Sequence, residues 1–511
     1  MKRIGLLLLS VALLIPVAGC GEKQAPYIRQ ALVYGSGNYT SINPALYEHG
    51  EINLLLFAGL TRHDKDNQVI EGLAQSWTYD EETLTYVFTL RDGLTFHDGG
   101  SLTSADVKFT LDVIMDPANG SENASNFEEI SSIETPDDLT VIITLSAPCV
   151  AMPDYLTIGI LPRHLYLDQD VTTSWVNRHP IGAGPYQLQQ WDMGQWILMS
   201  AFDDYYLGAP KIEQVLFKIV DDYSARALQM RVEEFTLTQV QPRDAQEFIG
   251  NPRFAVYDMD TADYRGILYN FNNQFWKDHP ELPSALSYAI DREAIVRSIL
   301  LGKGEAAWSP LQKGPYANED IEKYVYDPEI ALLLLRGHGW EKGSDGYLTK
   351  DGAQLTFTIS APSSDPVRVD MASIAAQNLQ DIGVNASVDV VARADWANQY
   401  AYLIGWGSPF DPDDHTYKVF GTSQGANYSG YSDADVDRLL SAARSTEDPD
   451  LRLELYRQFQ EALALDPAYT FIAYIDAVYV AQSSLHGITP DTVLGHHGVG
   501  IFWNVHEWTL G

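Results

Sequence analysis

Two adjacent histidines flanked by glycines, in Leu494-Gly495-His496-His497-Gly498-Val499-Gly500, form the most chemically pointed stretch of this chain. Such a pair makes a short flexible prong. Neutral imidazoles are good ligands for Ni²⁺, Cu²⁺ or Zn²⁺, but two of them leave a square-planar or octahedral shell incomplete, so further donors are required. Other residues could carry chemistry: His97 in HDGG, the acidic pairs Asp221-Asp222 and Asp413-Asp414, and His415 in DPDDHTY. Neither an HExxH helix nor a phosphate-binding GxxxxGK[ST] loop occurs, and we expect no enzyme.

The N-terminus decides the compartment. Lys2 and Arg3 precede an apolar run from Gly5 to Val17, broken only by Ser10 and Pro16, and small residues lead into Cys20. The run is shorter than the ~18 apolar residues of a membrane-spanning helix, and it reads as a secretory signal. Val17-Ala18-Gly19-Cys20 resembles the lipobox of bacterial lipoproteins, which implies cleavage after Gly19 and a lipidated Cys20. Residues 20–26 then read as a polar linker, a leash and not a span.

Removal of Lys2 and Arg3 takes the formal charge from −36 to −38, leaving 31 basic against 69 acidic residues. That field repels phosphate backbones, so nucleic acid is not an expected partner. Cys149 is the only cysteine after Cys20, which rules out an internal disulfide framework and multi-cysteine zinc sites. It ends the apolar run VIITLSAPCV and reads as a small buried hydrophobe.

Roughly 490 mature residues call for more than one domain. ALVYGSG reads as a strand entering a turn, and SINPALYEHGEINLLLFAGL as a helix. The runs LTYVFTLRDGLTF and DLTVIITL alternate as strands around the helix SADVKFTLDVIM, with Ser104 as its cap. LPSALSYAIDREAIVRSIL reads as one long helix. The succession QLTFTISAP, VDMASIAAQNLQDIG and VNASVDVV reads as a βαβ unit whose helix stops at Gly383. GWGSPFDPDDHTY is expected as a loop, and TFIAYIDAVYVAQ as a strand.

GLAQSWTYDEETLTYVFTLRDGLTFHDGGSLTSADVKFTLD, GAGPYQLQQW, and ALSYAIDREAIV with LGKGEAA together resemble the large solute-binding proteins of ABC importers for peptides, nickel and opines, from about Tyr27 to the C-terminus. The resemblance implies a two-lobed periplasmic-binding-protein-like α/β fold with two crossovers, closing on a ligand without covalent chemistry. On this basis residues 27–264 form the first part of lobe 1, with an inserted subdomain at about 55–182. Lobe 2 is expected at 265–486, and 487–511 returns to lobe 1. A monomer without prosthetic group is expected, served by an ABC permease and its ATPase subunits.

In peptide-binding members an aspartate after a Gly-Trp pair holds the peptide's amino group. Here the loop is Gly405-Trp406-Gly407-Ser408-Pro409-Phe410-Asp411-Pro412, and Ser408 and Pro409 stand nearest that place. The loop is instead similar to that of nickel-binding members, some of which carry a double-histidine prong, so the resemblance implies His496 and His497 as metal ligands. Trp406, Tyr39, Asp411 and His415 are the implied ligand contacts. The best-known nickel-binding type has one histidine eighteen positions after the loop tryptophan, where Gln424 stands here, and Arg163 falls beyond the place of its cleft arginine. The expected cargo is therefore Ni²⁺ with a small chelator such as free histidine, and peptide uptake is the alternative.

Overall fold

The computed structural model describes residues 31–47, 50–496 and 500–511, so the signal, Cys20 and His497 lie outside the described residues. Two large sheets organise the chain. The first has seven strands in the order Phe254–Met259, Ala477–Gln482, Leu237–Val240, Ala31–Ser36, Gln214–Ile219, Trp196–Ala201 and Tyr186–Asp192. Ala31–Ser36 runs parallel to both of its neighbours, and the remaining pairs are antiparallel. Successive residues of a strand point to opposite faces, and the burial shows it: Ala477, Tyr479 and Ala481 enter one core, Val478 and Val480 another.

The second sheet has six strands in the order Gly304–Ala306, Tyr469–Ile475, Tyr264–Tyr269, Ala401–Trp406, Thr356–Pro362 and Asn385–Val391. Along Tyr264–Tyr269, Ile267 and Tyr269 face one core while Tyr264 and Leu268 face the other. The expected βαβ unit is here: Thr356–Pro362 and Asn385–Val391 pair in parallel, joined by the helix Pro366–Asp381. Between Ser36 and Tyr186 the chain builds a four-stranded antiparallel sheet from Ala74–Asp80, Thr85–Leu90, Thr140–Leu145 and Ile130–Asp137. The helix Ser104–Met115 packs on it, capped by Thr103 with Asp106 in a reciprocal capping box; the Ser104 hydroxyl instead donates to Asp137 O at 2.6 Å.

The chain passes between the large sheets twice, side by side. Phe254–Met259 pairs with Ala477–Gln482 in the first sheet, and Tyr264–Tyr269 with Tyr469–Ile475 in the second. Residues 260–263 and Asp476 are the links. TFIAYIDAVYVAQ is thus two strands in two sheets, and the return begins at Ala477, ten residues before the expected 487. Asp476 interrupts an apolar run at the point where the chain leaves one sheet for the other.

Three other expectations change. LPSALSYAIDREAIVRSIL forms two helices, Leu282–Ser287 and Arg292–Ser298, because Asp291 accepts from Ala294 N at 2.9 Å and caps the second. In SINPALYEHGEINLLLFAGL only Asn53–Leu56 is helical among the described residues. Within GWGSPFDPDDHTY the helix Asp413–Phe420 begins directly after Pro412, which places His415 in a helix and not in a loop.

Candidate functional site

The return segment is stitched to the first crossing link. Leu494 N donates to Asp260 O at 2.8 Å, and Ala262 N donates to Leu494 O at 2.9 Å. His496 follows two residues later, its side chain 13 % exposed, with Nδ1 2.7 Å from Asp263 Oδ1. From the second lobe, Trp406 ends the strand Ala401–Trp406 and turns its ring toward His496, at 6.3 Å between centroids and 41° between planes. The Lys418 ammonium stands 5.5 Å from the indole centroid. Gly407 lets the loop pass: its φ is +141°, and a Cβ there would lie 1.9 Å from Ala262 O.

Around Asp263 lies a charge network that the local sequence did not announce. Arg265 pairs with Asp263 and reaches Asp365 at 3.9 Å, while Arg368 Nε lies 3.0 Å from Asp365 Oδ2. Burial, and then the neighbouring Arg265 charge, draw the Arg368 pKa down to about 10. These guanidiniums, and not Arg163, are the arginines beside the His496–Trp406 pair; Arg163 begins the short helix Arg163–Tyr166 on the inserted subdomain. They also line a cavity of about 190 Å³ together with Tyr223 and Gln239 of the first lobe. Burial holds the His496 pKa down at about 4 against the opposing pull of Asp263, so the ring is neutral at neutral pH.

Tyr39 follows the strand Ala31–Ser36, half-buried against the first-lobe core. Burial and then the Glu51 carboxylate raise its phenol pKa. Glu51 itself accepts from Tyr34 at 2.7 Å and from Tyr479 at 3.1 Å. Asp411 and His415, expected as ligand contacts, have partners within the second lobe. Asp411 takes the fork of Arg452 at 2.6 and 2.7 Å, a bidentate pair that occupies both of its oxygens. His415 is buried, with its Nε2 3.3 Å from Pro310 O, and burial keeps its pKa at about 4.

A cavity of about 280 Å³ opens next to the prong's base, where Leu494, Gly500 and Trp503 meet Phe57 and Tyr155 of the first lobe and Phe410 of the second. Beside it His63 stacks on Phe410, 3.7 Å between centroids and 3° between planes, and bonds Asp154 at 2.9 Å. The segment between Ser36 and Tyr186 touches the second lobe here: Tyr155 reaches Asp413, Asn126 donates to Asp414 at 3.2 Å, and Arg444 lies 3.3 Å from Glu128. Cys149 is buried close by, as its apolar context implies, and burial pushes its thiol up to about 12. Gly421-Thr422-Ser423-Gln424-Gly425 has the spacing of a nucleophile elbow, but it follows a helix and not a strand, so Ser423 lacks that setting.

Residues 68–428 match the family described as bacterial extracellular solute-binding proteins, family 5. The chain belongs to this family, whose members are the substrate-binding components of ABC importers, and it has their two-lobed fold. It is 30 % identical over 507 residues to the oligopeptide-binding protein AppA of Bacillus subtilis (strain 168), covering 94 % of this chain and 91 % of that one. Among solved structures it is similar to NikZ from Campylobacter jejuni in complex with Ni(L-His), at 36 % identity and a TM-score of 0.89, covering 94 % of this chain and all of that one. AppA from Bacillus subtilis in complex with a nonapeptide follows at 29 % identity and a TM-score of 0.83, covering 94 % and 99 %. Among the described residues no helix is long and apolar enough to cross a membrane.

Proposed function

We propose that this protein captures nickel, as a complex with a small chelator such as histidine, between its two lobes and delivers it to an ABC permease. The observation that carries this reading is the approach of His496, on the return segment, to the ring of Trp406, at the end of a strand of the second sheet. A neutral imidazole can donate a lone pair to the metal, and an indole face can cover a planar chelate without bonding it. Arg265 and Arg368 stand where a chelator's carboxylate could find a partner. The similarity to NikZ supports the same cargo. His497 is proposed as the second imidazole on the prong, and Cys20 as a lipid anchor that keeps the protein at the membrane surface.

The cavity beside the prong favours a second reading. Its volume and aromatic lining suit organic side chains better than a hydrated ion, and AppA was solved with a nonapeptide. Calorimetry of metal-stripped protein separates the two. Nickel binding strengthened by histidine supports the first reading, whereas heat only from a peptide mixture replaces it with the second. Mass spectrometry of membrane-associated protein should find a mature chain starting at a diacylated Cys20, and an unmodified Cys20 removes the anchor.

A further inference from the structure

Asp263 is fully buried in the link between the lobes, and every part of it is held. Its amide donates to Thr261 Oγ1 at 2.9 Å, and its carbonyl accepts from Ile475 N at 3.1 Å, on the opposite crossing. Thr261 Oγ1 in turn donates to Ile475 O at 2.6 Å. The carboxylate pairs with Arg265 and meets His496 Nδ1. A carboxylate paired with a guanidinium can only accept, so the imidazole must donate, and the ring proton of neutral His496 sits on Nδ1.

We infer that Asp263 is the positioning residue of the metal site: it holds His496 as the Nδ1–H tautomer and aims the Nε2 lone pair at the metal. This rests on the nickel reading above. A carboxylate behind a ligating histidine fixes the ring's orientation and raises its basicity, and losing such a partner typically costs about 10- to 100-fold in metal affinity. The placement adds a consequence. Asp263 belongs to one crossing and is bonded to the start of the other through Ile475 N, so a metal that tightens His496 pulls on the link about which the lobes must move.

The test uses full-length protein labelled with ¹⁵N-histidine, with His496→Ala identifying the His496 signals among the twelve histidines. Wild type should show His496 as the Nδ1–H tautomer. Arg265 and His496 share Asp263 Oδ1, so an asparagine would keep an acceptor oxygen there; Asp263→Ala removes it, and His496 should lose its preference for Nδ1–H while nickel affinity in the presence of histidine falls by about 10- to 100-fold. A wild-type Nε2–H tautomer overturns the inference, as does an Ala variant that binds nickel unchanged. Should Asp263→Ala not fold, the wild-type spectrum decides alone. Wild-type protein that shows the Nδ1–H tautomer yet binds no nickel sinks the nickel reading, while the positioning of His496 by Asp263 stands.

Discussion

The Tyr155 hydroxyl, on the inserted subdomain, donates to Asp413 Oδ2 of the second lobe at 2.5 Å in a buried setting. Asp413 Oδ1 has no hydrogen-bond donor among the described residues, and the Arg444 guanidinium stands 3.5 Å from Oδ2. This one bond therefore supplies much of the solvation that burial removes. It also ties the inserted subdomain to the opposite lobe.

Replacing Tyr155 by phenylalanine keeps the ring packing and deletes the donor, which leaves a buried carboxylate short of a partner only when the lobes meet. We expect a cost of about 1–3 kcal/mol to the closed arrangement, with little change to either lobe alone. Small-angle scattering of the Phe variant should show a larger radius of gyration than wild type, and ligand affinity should fall correspondingly. An identical scattering profile would mean that the subdomain contact does not contribute to closure.

Asp413 and His415 share the first turn of one helix and titrate in opposite senses. Burial raises the Asp413 pKa to about 6, against Arg444, so its contribution to stability is complete below about 3.8 and is lost as pH rises through 6. Burial lowers the His415 pKa to about 4, so its contribution is complete above about 6.5 and is lost as pH falls through 4. Each is worth at most about 3 kcal/mol. Denaturant unfolding between pH 4 and 6.5 should therefore respond oppositely to two variants: Asp413→Asn steepens the loss of stability toward acid, and His415→Gln flattens it. Parallel slopes in the two variants would contradict both assignments.

Local pattern made part of this legible. The βαβ unit at 356–391 was readable because strand, helix and strand carry their own periods and lie adjacent in the chain. The crossing at Asp476 was not, because the residues on either side form one apolar run and only long-range pairing shows that they belong to different sheets. The loop pattern singled out Trp406, whose ring lies 6.3 Å from that of His496. Arg265 and Arg368 were missed because no motif surrounds them: each has a partner close in sequence, and only the contact of Arg265 with Asp365, a hundred residues on, joins the two pairs into one network. One signal was available: a charged residue inside YRGILY, an otherwise buried strand, demands a partner. Asp411 and His415 were drawn to the site by the resemblance of their loop, which says nothing of the partners that tertiary packing gives them, Arg452 and Pro310 O.

Gly407 allows the second-lobe loop to lie against the crossing link. Gly407→Ala combines an unfavourable φ of +141° with a Cβ 1.9 Å from Ala262 O, a backbone atom that cannot rotate away. Gly93 is a control: its φ is +73°, and nothing lies within 4 Å of a Cβ built there. Gly93→Ala should cost about 1 kcal/mol, the strain alone, whereas Gly407→Ala should cost clearly more and weaken ligand binding with it. Thermal unfolding and calorimetry on the pair check this, and equal losses would show that the close approach at Ala262 is not required.

Trp406 and Phe410 stand four residues apart on one loop yet face different ligands in the two readings of function. Trp406 turns toward His496, so in the nickel reading its indole covers the chelate. Phe410 stacks on His63 at the wall of the larger cavity, where an organic side chain would lie. Trp406→Ala should weaken binding of nickel–histidine more than binding of Ni²⁺ alone, because an indole contributes packing and no metal bond. Phe410→Ala should leave nickel–histidine affinity within a few-fold of wild type, because its ring packs away from His496. If peptide is the cargo, the order reverses: Phe410→Ala loses the stacked wall and with it most of the affinity, by about 3–5 kcal/mol if the cavity does not collapse. Titrating both variants with both ligands therefore reads out which side of this loop holds the transported molecule.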